Sequence, residues 1–199
     1  MTKVYIIILP QVTMAFGLLL GLVIALIVII IILFVFYYNR FVILGNRIDN
    51  SLSQIDVQLK KRADLVPNLM STVKGYAKHE KDIMSEVTKA RAALVKAPTL
   101  EKRMKAGSEL QSALRSVFAI AENYPQLKAN ENFLQLQQEL AAIEDRIAYA
   151  RQFYNDSILA YNNSVESFPG NMFANMYGQK EKKFLEIPSE QKAVPKVSF

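Results

Sequence analysis

The chain has 199 residues, with 24 Lys and Arg against 18 Asp and Glu, a formal net charge of +6, one His and no Cys. The absence of Cys excludes disulfides, thiolate zinc sites and Cys nucleophiles, and a His-based metal site or catalytic triad would depend on His79 alone. The charges are unevenly distributed, because no Asp, Glu, Lys or Arg lies between Lys3 and Arg40. The composition therefore predicts one membrane anchor followed by one domain of ordinary composition.

The predicted anchor is built around Phe16–Phe36, which contains only apolar residues and glycine. A helix of this length spans about 31 Å, close to the roughly 30 Å of a hydrocarbon core. We predict a transmembrane helix over residues 12–39, preceded by a short segment over 1–11. A cleavable signal peptide is the alternative, but the sequence FYYNR at 36–40 offers no small-residue cleavage site.

The charges that flank the anchor predict its direction. Lys3 and the α-amino group lie on one side, whereas Arg40, Arg47 and the KKR sequence at 60–62 lie on the other. Cytoplasmic flanks carry the excess of Lys and Arg. We therefore expect a single-pass protein with its N-terminus outside and its C-terminal domain in the cytoplasm.

Small residues recur at every fourth position of the anchor, at Gly17, Gly21 and Ala25. This spacing lets the backbones of two helices approach closely in lipid. It predicts a helix-packing face and a homo-oligomer, although such patterns are also common in apolar helices that pair with nothing.

Residues 40–169 show apolar side chains at steps of three and four, which predicts helices, and no alternation of period two. Pro67, Pro98, Pro125 and Pro169 are the main predicted breaks, although Pro67 is also compatible with a kink or a helix start. Steps of three and four residues continue without interruption from Leu69 through Glu80 to Leu94, and we predict one helix over this stretch. The fold class is all-α: the transmembrane helix, then an antiparallel bundle of about three long helices.

Two helix starts and one tail complete this prediction. Thr99 and Asn130 are predicted N-caps, because both side chains accept hydrogen bonds from the first turn. From Gly170 the periodicity stops, and residues 170–199 are predicted to form a flexible tail. Met172, Phe173, Met176 and Tyr177 are compatible with one more helical turn that docks on the bundle.

Four long motifs resemble the LemA family of bacterial membrane proteins. They are SQIDVQLKKRADLVPNL at 53–69, VKGYAKHE at 73–80, AENYPQLKANENF at 121–133 and EDRIAYARQFYND at 144–156. The resemblance implies an N-terminal transmembrane helix, a helical and largely cytoplasmic domain, and location in the inner or plasma membrane of a bacterium. It implies no defined biochemical activity.

The candidate site residues are charged side chains on predicted helices, which we expect to form either a partner-binding surface or ion pairs between helices. Glu80 stands apart because it falls on the apolar register, where a carboxylate must either be paired or reach water at the bundle edge. The candidates are Arg62, Asp64, Glu80, Arg146 and Arg151.

The C-terminus is a further candidate, because Val197 and Phe199 flank one residue in the pattern that peptide-binding grooves of the PDZ type accept. The alternative is a loosely ordered chain end.

These observations lead to one main functional hypothesis and two alternatives. We expect a membrane-anchored helical scaffold or adaptor that contacts the lipid bilayer and protein partners, with no catalysis and no cofactor or metal. Nucleic acid is not an expected partner, because no basic stripe with interleaved aromatics is present. The second hypothesis is a homo-oligomer that organises or shapes the membrane, and the third is an enzyme of unknown type.

Overall fold

The computed structural model describes the backbone of residues 2–185 and the side chains of residues 16–185. All regular elements in this part of the chain are helices, as the periodicity predicts. They are α1 (Thr2–Tyr76), α2 (Lys81–Lys96), α3 (Leu100–Ala121), α4 (Pro125–Lys128), α5 (Glu131–Glu166) and α6 (Gly170–Met176).

Helix α1 is continuous through the predicted boundaries at 11/12 and 39/40. Its segment from Phe16 onward contains the one described stretch that is long and apolar enough to cross a membrane. The described residues divide into two compact units. The anchor unit consists of α1 up to Asn46 with Leu159–Lys182, and the bundle unit consists of Arg47–Ile158 with residues 183–185.

The bundle unit has a mainly aliphatic core to which four long helical segments contribute. Ile55 and Leu69 of α1, Val87 of α2 and Leu110 of α3 are completely buried, and so is Ile158 of α5. Burying a side chain of this size stabilises the fold by about 1.5–3 kcal/mol relative to leaving it in water. The core therefore follows the three-and-four spacing of apolar residues in the sequence.

Pro67 lies inside α1 and does not end it. A proline in a helix has no N–H, so the carbonyl four residues earlier, that of Ala63, lacks its helical donor. The Nε of Arg91, on α2, donates to this carbonyl at 2.7 Å. The bundle thus supplies from another helix the hydrogen bond that Pro67 removes.

The predicted helix through Glu80 is wrong, because α1 ends at Tyr76 and α2 begins at Lys81. Residues 77–80 form a turn in which the Glu80 N–H donates to the Ala77 carbonyl at 3.2 Å. Ala77 is completely buried in this turn. The spacing of apolar residues is the same before and after the turn, which is why the periodicity alone does not reveal it.

Both predicted caps are confirmed. The Thr99 hydroxyl accepts from the Lys102 N–H at 3.3 Å, and the Asn130 side chain accepts from the Phe133 N–H at 3.0 Å. Each bond satisfies one of the free N–H groups at a helix start, a contribution typically worth about 1 kcal/mol.

The anchor unit is held together by aromatic rings. Tyr37 stacks on Phe173 of α6 with ring centroids 5.0 Å apart, and Phe41 meets the edges of Tyr161 and Tyr177 at 6.2 Å. Arg40 adds a polar contact, because its Nε donates to the Ser164 hydroxyl at 2.8 Å. These contacts hold α6 and the last turns of α5 against residues 37–41 of α1.

The close approach at the start of α6 requires glycine. A Cβ on Gly170 would overlap the carbonyl oxygen of Ser164 and lie 3.0 Å from the Tyr37 ring. Gly170 itself is buried.

Over residues 170–185 the structure has α6, the additional helical turn with which Met172, Phe173, Met176 and Tyr177 are compatible, and then a segment bound by side-chain hydrogen bonds, in place of a flexible tail. Beyond α6, the Asn162 side chain both donates to the Lys182 carbonyl and accepts from the Lys182 N–H, each at 2.9 Å. In the bundle unit, the Asn155 side chain makes the same pair of bonds to Leu185, at 3.3 and 2.9 Å. The rest of the predicted tail, including Val197 and Phe199, lies outside the described residues.

Candidate functional site

The bundle unit presents a groove between α1 and α5, which we call the α1/α5 groove. It consists of two neighbouring depressions of about 340 and 400 Å³ that share Arg146. Asp64 lines the first depression with Arg146, so the structure brings two of the predicted site residues together on one surface. The remaining predicted residues lie elsewhere.

Two aromatic residues of the α1/α5 groove were missed by the sequence analysis. Tyr149 is 72% exposed and Phe153 is 43% exposed, and both line the second depression beside Arg146. They are four residues apart and therefore adjacent on the surface of α5. The available signal was this spacing of two aromatic side chains on positions outside the apolar stripe.

Charged side chains of both signs lie along the first depression of the groove. Lys61 and Asp64 come from α1, and Glu139 and Arg146 come from α5. Exposed charges of alternating sign contribute little to the stability of a bundle, but they select among partners by complementarity. The groove thus combines apolar contact area with a charge pattern that can discriminate.

Arg62 is not on the surface, because its side chain is only 2% exposed. Its Nη2 pairs with the Glu144 carboxylate on α5, and its Nη1 donates to the Gly107 carbonyl on α3 at 3.2 Å. Burial lowers the pKa of Arg62 to about 10, so the guanidinium is still charged at neutral pH. Arg62 therefore forms an ion pair between helices and connects α1, α3 and α5.

A small cavity of about 100 Å³ adjoins this ion pair. Arg115 and Arg151 line it together with Arg62 and Glu144. Burial also lowers the pKa of Arg151. Sequence analysis identified Arg151 but gave no indication that it faces the same cavity as Arg62.

Glu80 lines neither the α1/α5 groove nor the cavity beside Arg62. It is half-buried at the N-terminus of α2, where its carboxylate accepts from the Tyr124 hydroxyl at 3.0 Å. This hydrogen bond raises the pKa of the Tyr124 phenol, with smaller contributions from burial and from the charge of Glu80. The contact ties the start of α2 to the end of α3, which is a structural role at the edge of the bundle.

In the anchor segment, Gly17 and Gly21 lie on an open face of α1. A Cβ added at either position would meet nothing within 4 Å. Among the described residues, no group of three His, Cys, Asp or Glu side chains is arranged to hold a metal ion.

Together these features define an all-helical protein with one long apolar helix and a charged bundle surface. The chain belongs to the LemA family, whose sequence profile matches residues 51–199. The resemblance in the four motifs is thereby confirmed, although the match begins after the anchor.

Similar proteins come from two groups of bacteria. The chain is 25% identical over 175 residues to magnetosome protein MamQ 2 of Paramagnetospirillum magneticum, a match that covers 75% of this chain and 64% of the relative. It is 28% identical over 133 residues to protein LemA of Metamycoplasma hominis, which covers 65% of this chain and 59% of the relative. The chain therefore matches less than two thirds of the length of these curated relatives, and their names do not denote enzymes.

Proposed function

We propose that this protein is a single-pass, membrane-anchored adaptor that binds an amphipathic helix of a partner protein in the α1/α5 groove. Helix α1 crosses the bilayer, and the bundle unit acts in the cytoplasm without catalysing a reaction. The observation that carries the proposal is the exposed pair Tyr149 and Phe153 beside Arg146.

The chemistry of this surface favours a protein partner. Tyr and Arg are enriched among the residues that dominate binding energy at protein interfaces. A groove between two helices with exposed apolar side chains accepts the apolar face of a third helix. Charges of both signs along the groove, from Lys61 and Glu139 among others, fix the register and direction of that helix.

The test is site-specific photocrosslinking in cells from position 149, with position 95 as the matched control. Val95 is an exposed apolar residue on α2, outside the groove. The proposal expects a protein captured from position 149 and not from position 95. A peptide that covers the captured segment should then bind the purified full chain in lipid nanodiscs.

Binding should depend on the groove. The double variant Tyr149→Ala/Phe153→Ala should weaken peptide binding by at least about tenfold, since truncating a central interface residue costs more than about 1 kcal/mol. Val95→Ala should leave it unchanged. Equal capture from both positions, or a captured peptide that binds the double variant as well as the original chain, would contradict the proposal.

A second candidate function, membrane organisation by homo-oligomers, is supported by the open face at Gly17 and Gly21. Similarity to proteins that are named as magnetosome proteins is consistent with it. In this function Gly17, Gly21 and Ala25 pack against the same residues of a second copy.

The oligomeric state in detergent tests this candidate. Replacing Gly17 and Gly21 by Leu should reduce the oligomer to smaller species, because the added side chains separate the helices. Leu19→Phe with Val23→Phe adds bulk to the opposite side of α1 and should leave the size unchanged. An unchanged size in the Gly17 and Gly21 variant argues against this face.

A further inference from the structure

Three large apolar side chains at and beside α6 are exposed. Phe168 is 80% exposed, Met172 58% and Met176 68%. Met172 and Met176 are four residues apart and share one face of α6. The docked side of the helix is a different one, because Phe173 and Tyr177 pack on α1.

The contacts of α6 locate it along α1. The Tyr177 hydroxyl donates to the Phe34 carbonyl at 2.8 Å, and the rings of Phe173 and Tyr177 meet the Phe34 ring at 6.4 and 5.0 Å. Phe34 lies two residues before the end of the apolar stretch Phe16–Phe36, which is about 3 Å along the helix axis. Helix α6 thus lies beside the last turn of the segment that is apolar enough to cross a membrane.

The polar groups around α6 are those expected at the end of a membrane span. Tyr37 and Tyr38 follow the apolar stretch, and tyrosines are enriched where a membrane meets water. Arg40 lies one turn farther along, and Lys180 is exposed after α6. Cations at this level face lipid headgroups, which in the cytoplasmic leaflet include anionic lipids.

We propose that α6 is an interfacial helix whose residues Phe168, Met172 and Met176 enter the bilayer surface next to the end of the α1 span. The occupant of this exposed apolar face is lipid, because the other side of α6 is packed on Phe34, within the apolar stretch of α1. The chain then contacts the membrane through two elements, a spanning helix and a short helix at the end of the span. The inference rests on the proposed crossing of the membrane by α1, and the experiment separates the two.

The natural absence of Trp makes the test direct, because one introduced Trp gives an unambiguous fluorescence signal. Single variants Phe168→Trp, Met172→Trp and Met176→Trp of the full chain are reconstituted into phosphatidylcholine and phosphatidylglycerol vesicles. A second set of vesicles carries bromine on the acyl chains, which quenches the emission of a Trp that contacts them.

Two further positions in the anchor unit serve as references. Ile32→Trp places the probe within the apolar stretch and reports whether α1 is in the membrane. Leu159→Trp places it on an exposed position of α5, about 10 Å back from the end of that helix at Glu166. Because Tyr161 and Ser164 contact Phe41 and Arg40, this stretch of α5 runs away from the span.

The proposal expects blue-shifted emission and strong bromine quenching at positions 168, 172 and 176, and neither effect at 159. Equal, weak quenching at 172, 176 and 159 with strong quenching at 32 would overturn it and leave the α1 span intact. Absence of quenching at 32 would overturn the span and the inference together. A blue shift at 172 that bromine does not quench, and that disappears when protein is diluted with lipid, would assign the face to a second copy and also overturn the inference.

A second set of variants protects the test against a local folding defect. The double substitution Met172→Gln/Met176→Gln should reduce quenching several-fold when it is combined with Phe168→Trp. The same double substitution combined with Ile32→Trp should leave the quenching at position 32 unchanged. Asn175→Gln, on an exposed polar position of the same helix, is the matched control and should change nothing. Full quenching at 168 in the double Gln variant would count against a role for α6 in membrane contact.

Discussion

In the anchor unit aromatic rings, three of them tyrosines, pack between α1, α5 and the α6 region, whereas the core of the bundle unit is mainly aliphatic, with Phe133 and Tyr154 as buried rings, and surrounds one buried ion pair. Tyr161 and Tyr177 pack their rings on Phe41 and also donate their hydroxyls, to Gln179 and to the Phe34 carbonyl. Such side chains suit surroundings that change from apolar to aqueous over a short distance. Leu69 and Leu110 suit a core that excludes water on all sides. The difference indicates that the two units are stabilised for different surroundings although α1 and α5 run through both.

Among the changes that test this difference between the two units, we expect the largest loss of stability from breaking the ion pair of the bundle unit. Glu144→Ala leaves the charge of Arg62 buried without its partner, and we expect a loss of about 3 kcal/mol in the free energy of unfolding. Arg62→Leu should cost less, because the Glu144 side chain is 32% exposed and its carboxylate can be hydrated. Denaturant unfolding of the detergent-solubilised full chain, followed by circular dichroism, measures both.

Glu139→Ala is the control, because this carboxylate is exposed on the same helix. It should change the free energy of unfolding by no more than about 0.5 kcal/mol. If Glu144→Ala and Glu139→Ala lower the free energy of unfolding equally, the buried ion pair contributes no more to the stability of the bundle unit than an exposed carboxylate does.

The next effect is expected in the anchor unit at Gly170. Gly170→Ala introduces a Cβ that overlaps the Ser164 carbonyl and presses on the Tyr37 ring, and we expect about 2 kcal/mol of local destabilisation. Amide hydrogen exchange should accelerate over residues 170–182, with no change in the core of the bundle unit. The control is Gly45→Ala, where a Cβ meets nothing within 4 Å and the helix should be stabilised slightly. Unchanged exchange over 170–182 would contradict the close approach.

A smaller effect is expected where α2 compensates for Pro67. Arg91→Ala removes the donor to the Ala63 carbonyl, and we expect a loss of about 1 kcal/mol, at the lower end for an unsatisfied polar group because Arg91 is only part-buried. In a Pro67→Ala background the helix supplies its own N–H to this carbonyl, so Arg91→Ala should cost clearly less. A double-mutant cycle measures the difference, and a coupling energy of zero would mean that Arg91 does not act through this bond.

The smallest effect concerns the pH dependence of the contact between Tyr124 and Glu80. The pKa of Tyr124 is raised in the folded chain, so the stabilisation is fully present below the unfolded pKa of about 10 and is lost as pH rises through the folded value. The difference in phenolate absorbance between the chain and its Tyr124→Phe variant reports this titration. Glu80→Gln should lower the pKa of Tyr124 towards its ordinary value, and no movement would contradict the hydrogen bond as its cause.

Local features of the fold were predictable from the sequence, and features that depend on a second helix were not. Thr99 and Asn130 cap helices through bonds within three residues, so their roles follow from the sequence nearby. The passage of α1 through Pro67 depends on Arg91, which is 24 residues away in sequence and adjacent only after folding. The docking of α6 depends in the same way on rings of α1.

The candidate site divides along similar lines. Asp64 and Arg146 were identified because each belongs to a cluster of charged residues on a predicted helix, and the two line one groove. Tyr149 and Phe153 were missed because an aromatic residue off the apolar stripe has no assigned neighbour before the bundle is formed. Arg62 was named as a surface or ion-pair residue, and only the structure shows that it is buried.

The paired hydrogen bonds of Asn155 and Asn162 have a consequence for how this part of the chain can vary. Each amide binds the N–H and the carbonyl of a single residue, Leu185 or Lys182, and leaves the side chain of that residue out of the bond. Substitutions at 182 and 185 therefore preserve both attachments as long as the backbone N–H remains, so only proline is excluded there. Deamidation of either asparagine has the opposite result, since an aspartate keeps the acceptor and loses the donor. Deamidation of Asn155 or Asn162 would therefore release the segment at 182–185, whereas most substitutions within that segment would not.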